Sequence, residues 1–442
     1  MMIFSQFNKR KVFLSKAIMA ILFALSFSAS MVHAETEGDW GVRVLAIQNS
    51  IDHDAPFSET TWPGTHNSFS NNSDDDFWNV ALNQSKSRKQ QMDRGIRQLV
   101  FDIHYSFTHL RLCHNGTGFG SCIKGITGYK RLKVGLNDIG SFLEANPNEV
   151  IFLKLEILDS AKSKYAQIAK ELNTYVGDYI YQTDLGLSIH GDMGDHCTKL
   201  PTDVITKSKV LSAGKNLVVF TGHGCDSNDA FSNLVFYGDS NLKTRSTVSD
   251  IIDDGDTARR TTMSRVFDGR VKGDSSGTLK LKPSTIDSYL DVGLNIIEVY
   301  GFNGSAGGNT DWNGDGEAPL DPQDFIWSWN TYEPSGNGNC VELEHSSGKF
   351  DDYNCNSINH VACRKLVEND GRRAYEDWMV TDAQVTFENA ESQCLSEGGG
   401  EYFFAVPRNK MELNTLINVT DSAGISNDIW VNYEQSSDGS WV

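Results

Sequence analysis

The sequence predicts an α/β fold, a β/α barrel followed by a smaller domain of another class. Three observations carry that prediction. From about residue 60 to 302, continuous apolar runs alternate with helix-like segments; among them are Gln98 to Ile103, Val150 to Glu156, Leu217 to Phe220 and Asn295 to Tyr300. Such strands belong to parallel sheets covered on both faces. A stretch of about 250 residues suits a barrel with its site at the carboxyl ends of the strands. Next, Gly301 to Leu320 is rich in Gly, Asn and Asp and has no apolar period, which marks a linker. After it, tryptophans and cysteines become dense and the alternation stops.

The first 34 residues have the form of an export signal. Lys9, Arg10, Lys11 and Lys16 give a positive start, Ala17 to Phe27 a short apolar core, and Val32-His33-Ala34 a small-x-small cleavage site. That core is too short to span a bilayer, so the mature chain is expected to be secreted or periplasmic. The expected boundaries are 1–34 for the signal peptide, 35–302 for the barrel, 303–324 for the linker and 325–442 for the second domain. The net charge is −19, and losing the signal removes four positive charges and no negative ones. An acidic surface repels polyanions, which argues against nucleic acid and against adsorption to acidic membranes. All eight cysteines lie beyond the signal, an even number for an oxidising compartment, so disulfides are expected.

Chemistry concentrates around Gly64-Thr65-His66-Asn67-Ser68, Asp102 and His114. Two histidines and a carboxylate at strand ends suit phosphodiester cleavage by a neighbouring hydroxyl. One histidine takes the nucleophile's proton, the other protonates the leaving oxygen, and polar groups hold the phosphate. Side chains two apart on a strand share a face, so Asp102 points with His104 and Lys154 with Glu156. A carboxylate ending a buried strand is costly unless paired or bound to metal. Lys154 with Glu156 therefore reads equally as a buried ion pair or as part of a site.

These motifs, in order, resemble the catalytic X region of phosphatidylinositol-specific phospholipases C. The matching text is Pro63 to Ser68, Gln91 to Arg97 leading into Phe101-Asp102-Ile103, Cys113-His114-Asn115-Gly116, and Phe142 to Val150. The resemblance implies a distorted, TIM-like β/α barrel in which the inositol 2-hydroxyl attacks the phosphate and leaves a 1,2-cyclic phosphate. It makes His66 the general base or a phosphate ligand and His114 the acid for the leaving glycerol oxygen. Glu298 takes the part of a late acid orienting His66, or is a salt-bridged strand end. Lys154 and His104 are expected to bind substrate, and Arg97 to be a structural ion-pair partner. Asn67 after the histidine, with Asp102 and Glu156, is similar to the calcium-dependent branch. Val100, however, stands where that branch supplies another carboxylate. Calcium is the expected cofactor, and phosphoinositide or inositol-glycan lipid at a membrane surface the expected partner.

Beyond residue 325, Trp329-Asn330, Glu333-Pro334-Ser335, Cys340, Phe350-Asp351-Asp352, Cys355 and Cys363 resemble the second half of a C-type lectin-like domain, an α+β fold. Phe387 to Cys394, Ala405-Val406-Pro407 and Trp430 resemble its first half, yet follow it. The resemblance implies a circularly permuted domain with bonds Cys363–Cys394 and Cys340–Cys355; the rival is a truncated tandem repeat. Glu333, Asp351 and Asp352 map onto calcium ligands, with glycans as possible partners. The remaining cysteines are expected to pair as Cys113–Cys122 and Cys197–Cys225. Two rivals to the phospholipase stand beside it: a carbohydrate-binding adhesin with an inactive barrel, and a metal-dependent phosphodiesterase for another headgroup.

Overall fold

The computed structural model describes residues 37–71, 73, 83–113, 122, 129–182, 197–222, 229–238, 242–245, 247–249, 263–267, 281–299, 301–302, 320–369 and 372–442. The signal segment, His114, Cys225 and most of the expected linker lie outside them. In chain order the first strands are β1 (Trp62–Thr65), β2 (Gln98–Ser106), β3 (His109–Leu112), β4 (Lys130–Arg131) and β5 (Ile151–Ile157). They are followed by β6 (Leu217–Thr221), β7 (Phe236–Tyr237), β8 (Leu242–Thr244), β9 (Met263–Phe267) and β10 (Ile296–Val299). Eight of them, β1, β2, β5, β6, β7, β8, β9 and β10, lie side by side in sequence order. Among the described residues every pairing between these strands is parallel, and β10 returns to pair with β1. Among the described residues β7 and β8 do not pair, so the sheet curls into a barrel with one open seam. The expected distorted, TIM-like β/α barrel is what the chain forms.

Helices α1 (Glu37–Ile51), α2 (Arg88–Asp93), α3 (Leu132–Ala145), α4 (Tyr165–Val176), α5 (Lys207–Ser212), α6 (Asp229–Ser232) and α7 (Pro283–Asp291) accompany these strands. In α3, Leu132, Leu136, Ile139 and Leu143 recur on one face and are buried, each contributing roughly 1.5–3 kcal/mol. Local chemistry sets the helix starts: the Ser87 hydroxyl accepts from the Gln90 N–H in a capping box ahead of α2.

Strand alternation builds the barrel interior in layers. Trp62, Phe152, Phe220, Met263 and Ile296 form an apolar floor, with Phe152 stacked on Phe220 at 4.2 Å between ring centroids. One step of two residues further along, the same faces carry Lys154, Arg265 and Glu298, all buried. Another step along β5 and β2 brings Glu156 opposite Asp102.

The C-terminal strands are β11 (Cys340–Glu344), β12 (Lys349–Tyr353), β13 (His360–Asn369), β14 (Arg372–Val380), β15 (Tyr402–Phe404) and β16 (Ile429–Glu434), with α8 (Ala390–Glu397) and α9 (Lys410–Ser422). β16, from the end of the chain, lies between β11 and β13. It is antiparallel to β11 and parallel to β13, so both halves complete one six-stranded sheet. Disulfides join Cys340 to Cys355 and Cys363 to Cys394, with Cα separations of 5.2 and 5.5 Å. Cys113 bonds Cys122, and Cys197 is also disulfide-bonded. Phe387, Ala390, Cys394, Phe404 and Trp430 form one core. Trp329 packs instead with Phe350, Tyr433 and Trp441 in another cluster. A sheet has two faces, and the sequence does not say which one a given tryptophan takes.

Residues 37–442 form one compact unit, and α1 is the joint. The Gln48 amide donates to the Phe325 carbonyl and accepts from the backbone of Trp327 and Ser328. Trp40 Nε1 donates to the Glu333 carbonyl, and the Tyr433 hydroxyl donates to the Ile47 carbonyl. The helix that opens the barrel segment is therefore packed against the C-terminal sheet. No helix among the described residues is long and apolar enough to cross a membrane.

Candidate active site

The turn after β1 is pinned from all sides. Ser68 Oγ accepts from the Val100 N–H and donates to the Thr65 carbonyl. The Thr65 hydroxyl donates to Gln91 Oε1, and Gln91 Nε2 donates to the Ser68 carbonyl. Gln84 Nε2 donates at 2.8 Å to the carbonyls of both His66 and Val299, tying the turn to β10. Asn67 sits at φ 46°, a left-handed conformation that asparagine tolerates better than most residues. Gly64 is required by close approach: a Cβ there would stand 2.2 Å from Gln98 Oε1.

That space lets Gln98 Nε2 donate to Glu298 Oε1 at 3.0 Å. The same carboxylate accepts from Arg265 Nε at 2.6 Å and from Arg265 Nη2. Its Oε2 lies 3.3 Å from His66 Nδ1. Glu298 is fully buried. Burial alone would raise its pKa, but the Arg265 charge, the His66 hydrogen bond and Lys154 outweigh it and hold the group at about 2. An ionised carboxylate only accepts, so His66 Nδ1 carries the proton and Nε2 is the basic nitrogen. Glu298 is thus a strand end salt-bridged to Arg265 that also lies within hydrogen-bond reach of His66.

Asp102 and Glu156 are register partners on β2 and β5. Lys154 Nζ lies 2.5 Å from Glu156 Oε1. Burial and the Glu156 charge push Asp102 well above the usual carboxylate range, against the pull of Lys154. Burial would raise Glu156 too, but the charge and hydrogen bond of Lys154 hold it down. Three carboxylates, Asp102, Glu156 and Glu298, thus meet two cations, Lys154 and Arg265. The Asn67 amide at the adjoining turn is buried too, and with Asp102 and Glu156 it supplies oxygen donors of the type calcium takes, although among the described residues the three carboxylates do not gather with their ligand atoms within 4.8 Å of one another.

His104 follows Asp102 by two residues on β2. It is buried beside the Cys113–Cys122 sulfurs, with Nδ1 3.5 Å from Ser160 Oγ. Arg97 pairs with Glu149 at 2.8 Å and donates to the carbonyls of Met92 and Ile96, a structural role. His114, expected as the acid, lies outside the described residues. Arg265 and Gln98 were missed from sequence. Their signal was a polar residue inside an apolar strand run, but nothing local names its partner.

In the C-terminal sheet, Glu333, Asp351 and Asp352 do come together, with ligand atoms within 4.8 Å of one another. Both Asp352 oxygens, however, accept backbone N–H groups of Ser335, Gly336 and Gly338. Burial and these neighbouring acids push Glu333 up to about 7. Asp352 thus ties the 335–338 loop to β12.

Comparison with known proteins places this architecture. The chain is 25% identical to the uncharacterized protein Rv2075c of Mycobacterium tuberculosis over 426 residues, which cover 89% of this chain and 80% of that one. It is 30% identical over 111 residues to an Arabidopsis thaliana PI-PLC X domain-containing protein, covering 24% and 25% of the two chains. Among solved structures it is similar to phosphatidylinositol-specific phospholipase C from Listeria monocytogenes, at 16% identity and TM-score 0.41, covering 61% of this chain and 95% of that one. A double mutant of the Staphylococcus aureus enzyme gives 14% identity and TM-score 0.41, covering 64% and 97%. Residues 28–250, half of the chain, match the family model of the Rv2075c PI-PLC-like domain. The chain belongs to the family of Rv2075c PI-PLC-like domains.

Proposed function

We propose that this chain is a phosphodiesterase of phospholipase C type, cleaving phosphoinositide or inositol-glycan lipid by internal attack of the inositol 2-hydroxyl. The observation that carries this reading is the relay from Arg265 through Glu298 to His66 Nδ1. It presents Nε2 as a base at the carboxyl end of the barrel. His66 Nε2 takes the 2-hydroxyl proton as that oxygen bonds to phosphorus. The phosphorus–glycerol oxygen bond then breaks, and the departing oxygen takes a proton from the second histidine, His114. The products are diacylglycerol and a 1,2-cyclic phosphate of the inositol or of the inositol glycan.

Phosphorus NMR of phosphatidylinositol turnover tests this. The expected result is a cyclic phosphate signal that precedes any acyclic monophosphate. An acyclic product alone would mean that water attacks, and would reject the internal nucleophile.

Asn67, Asp102 and Glu156 would hold calcium, which supplies positive charge against the phosphate when bound. Calcium at about 100 times its Kd is expected to stabilise the folded protein by about 2.7 kcal/mol. The same addition to an Asp102→Asn/Glu156→Gln variant should give no such shift in thermal melting. Equal shifts in both proteins, or none in either, would remove calcium from this site.

A further inference from the structure

β2 runs past the barrel rim. Ser106 lies four residues beyond Asp102, about 13 Å along the strand, and β2 turns there into β3 through Phe107 and Thr108, with Ser106 paired to His109. Both turn residues have positive φ, 48° and 64°. Two-residue hairpins of this kind favour Asn-Gly, and a β-branched threonine in that region is an outlier. The sequence accepts this strain and presents Phe107, which at 70% exposure is the most exposed large apolar side chain among the described residues. Strain kept at a surface position points to a use for that position.

The hairpin's surroundings reverse the sign of the molecule. The net charge is −19, yet Arg131 and Lys133 lie near His109 at the base of the tip, with Arg131 Nη2 2.7 Å from His109 Nε2, and Lys130 stands next to Arg131 on β4, paired with Leu112. Partial burial and the charges of Arg131, Arg111 and Lys133 hold the His109 imidazole below its ordinary value. Glu171 is the acidic neighbour of Lys133 and Arg131. Arg111 is spent on structure: it donates to the Ser106 and Tyr129 carbonyls and lies over the Tyr129 ring. Screening confines each charge to about 8–10 Å at physiological salt, so a surface touching the hairpin meets this basic patch, not the acidic average.

We propose that the Phe107–Thr108 hairpin, with Lys130, Arg131 and Lys133, docks the protein on an anionic phospholipid bilayer, Phe107 entering the interface and the cations meeting headgroups. An aromatic tip ringed by long cationic side chains suits the boundary between acyl chains and phosphate. The proposal rests on the phospholipase reading for its purpose, since the hairpin rises from the rim that carries Asp102. It runs against the expectation, drawn from net charge, that acidic membranes repel this chain.

The test is sedimentation of the full chain with vesicles of phosphatidylcholine alone and with phosphatidylserine added. The native protein is expected to bind the anionic vesicles, more weakly as salt rises. A Phe107→Asn/Thr108→Gly variant should bind at least about tenfold more weakly while its melting temperature stays level or rises, because Asn-Gly suits the turn. A Lys130→Glu/Arg131→Glu variant should lose the anionic preference. All three should turn over a short-chain soluble substrate alike. Undiminished binding by the turn variant, or no binding of the native protein to either vesicle, would overturn the proposal. Binding without any turnover would keep the docking surface and reject the phosphodiesterase.

Discussion

Replacing His66 with alanine is expected to lower turnover of phosphatidylinositol by at least about 100-fold, the order of loss for a general base. The side chain is 14% exposed, and its backbone carbonyl stays anchored by Gln84. The variant should therefore keep its fold, and an unchanged melting temperature is the control. A Glu298→Gln variant should approach the same loss by another route. The amide removes the charge that fixes the proton on Nδ1, so His66 loses its preferred tautomer while its ring stays in place. Near-normal turnover by folded His66→Ala would remove the histidine from the mechanism and leave the relay as a structural ion pair.

Substituting Arg265 with methionine is expected to cost about 3–5 kcal/mol of stability, read by chemical denaturation. That is the range for removing one partner of a buried ion pair and stranding the other charge. Glu298 is held at about 2, well below an ordinary carboxyl group. Its ionisation accordingly stabilises the native protein by about 3 kcal/mol. The sign follows from the lowered pKa: this contribution is fully present above about pH 4.5 and is lost as pH falls through about 2. Without Arg265 the carboxyl group titrates higher, so the acid limb of the stability profile should move toward neutral pH. Adding Glu298→Gln to Arg265→Met should recover part of the loss, since no buried charge is then left alone. A single variant with native stability and an unmoved acid limb would show that Arg265 does not hold Glu298.

Strand alternation made much of the site legible. Lys154, Glu156, Asp102 and Glu298 are polar residues inside apolar runs, and a period of two puts Lys154 beside Glu156 on one face. The His66 turn was marked by Gly64, whose lack of a side chain leaves room for Gln98. Cysteine order, with the resemblance, gave the Cys340–Cys355 and Cys363–Cys394 bridges that the folded chain carries. Arg265 was not legible. It occupies a five-residue strand, and its partner lies 33 residues away on the next one.

The sequence by itself determined local facts: that β2, β5, β6 and β10 are strands, which of their residues share a face, and that the barrel is parallel. These depend on neighbours within a few positions, where sterics and hydrogen-bond pattern leave few choices. Only the tertiary structure decided what depends on register and on which surfaces meet. It set Glu298 between Arg265 and His66, placed β16 between β11 and β13, and moved Trp329 to another core than Trp430. It also packed α1 against the C-terminal sheet and gathered cations around Phe107 on an acidic protein. Shifting a strand by one residue sends its side chains to the opposite face. Pairings across hundreds of residues are therefore chosen by the packing of the whole core.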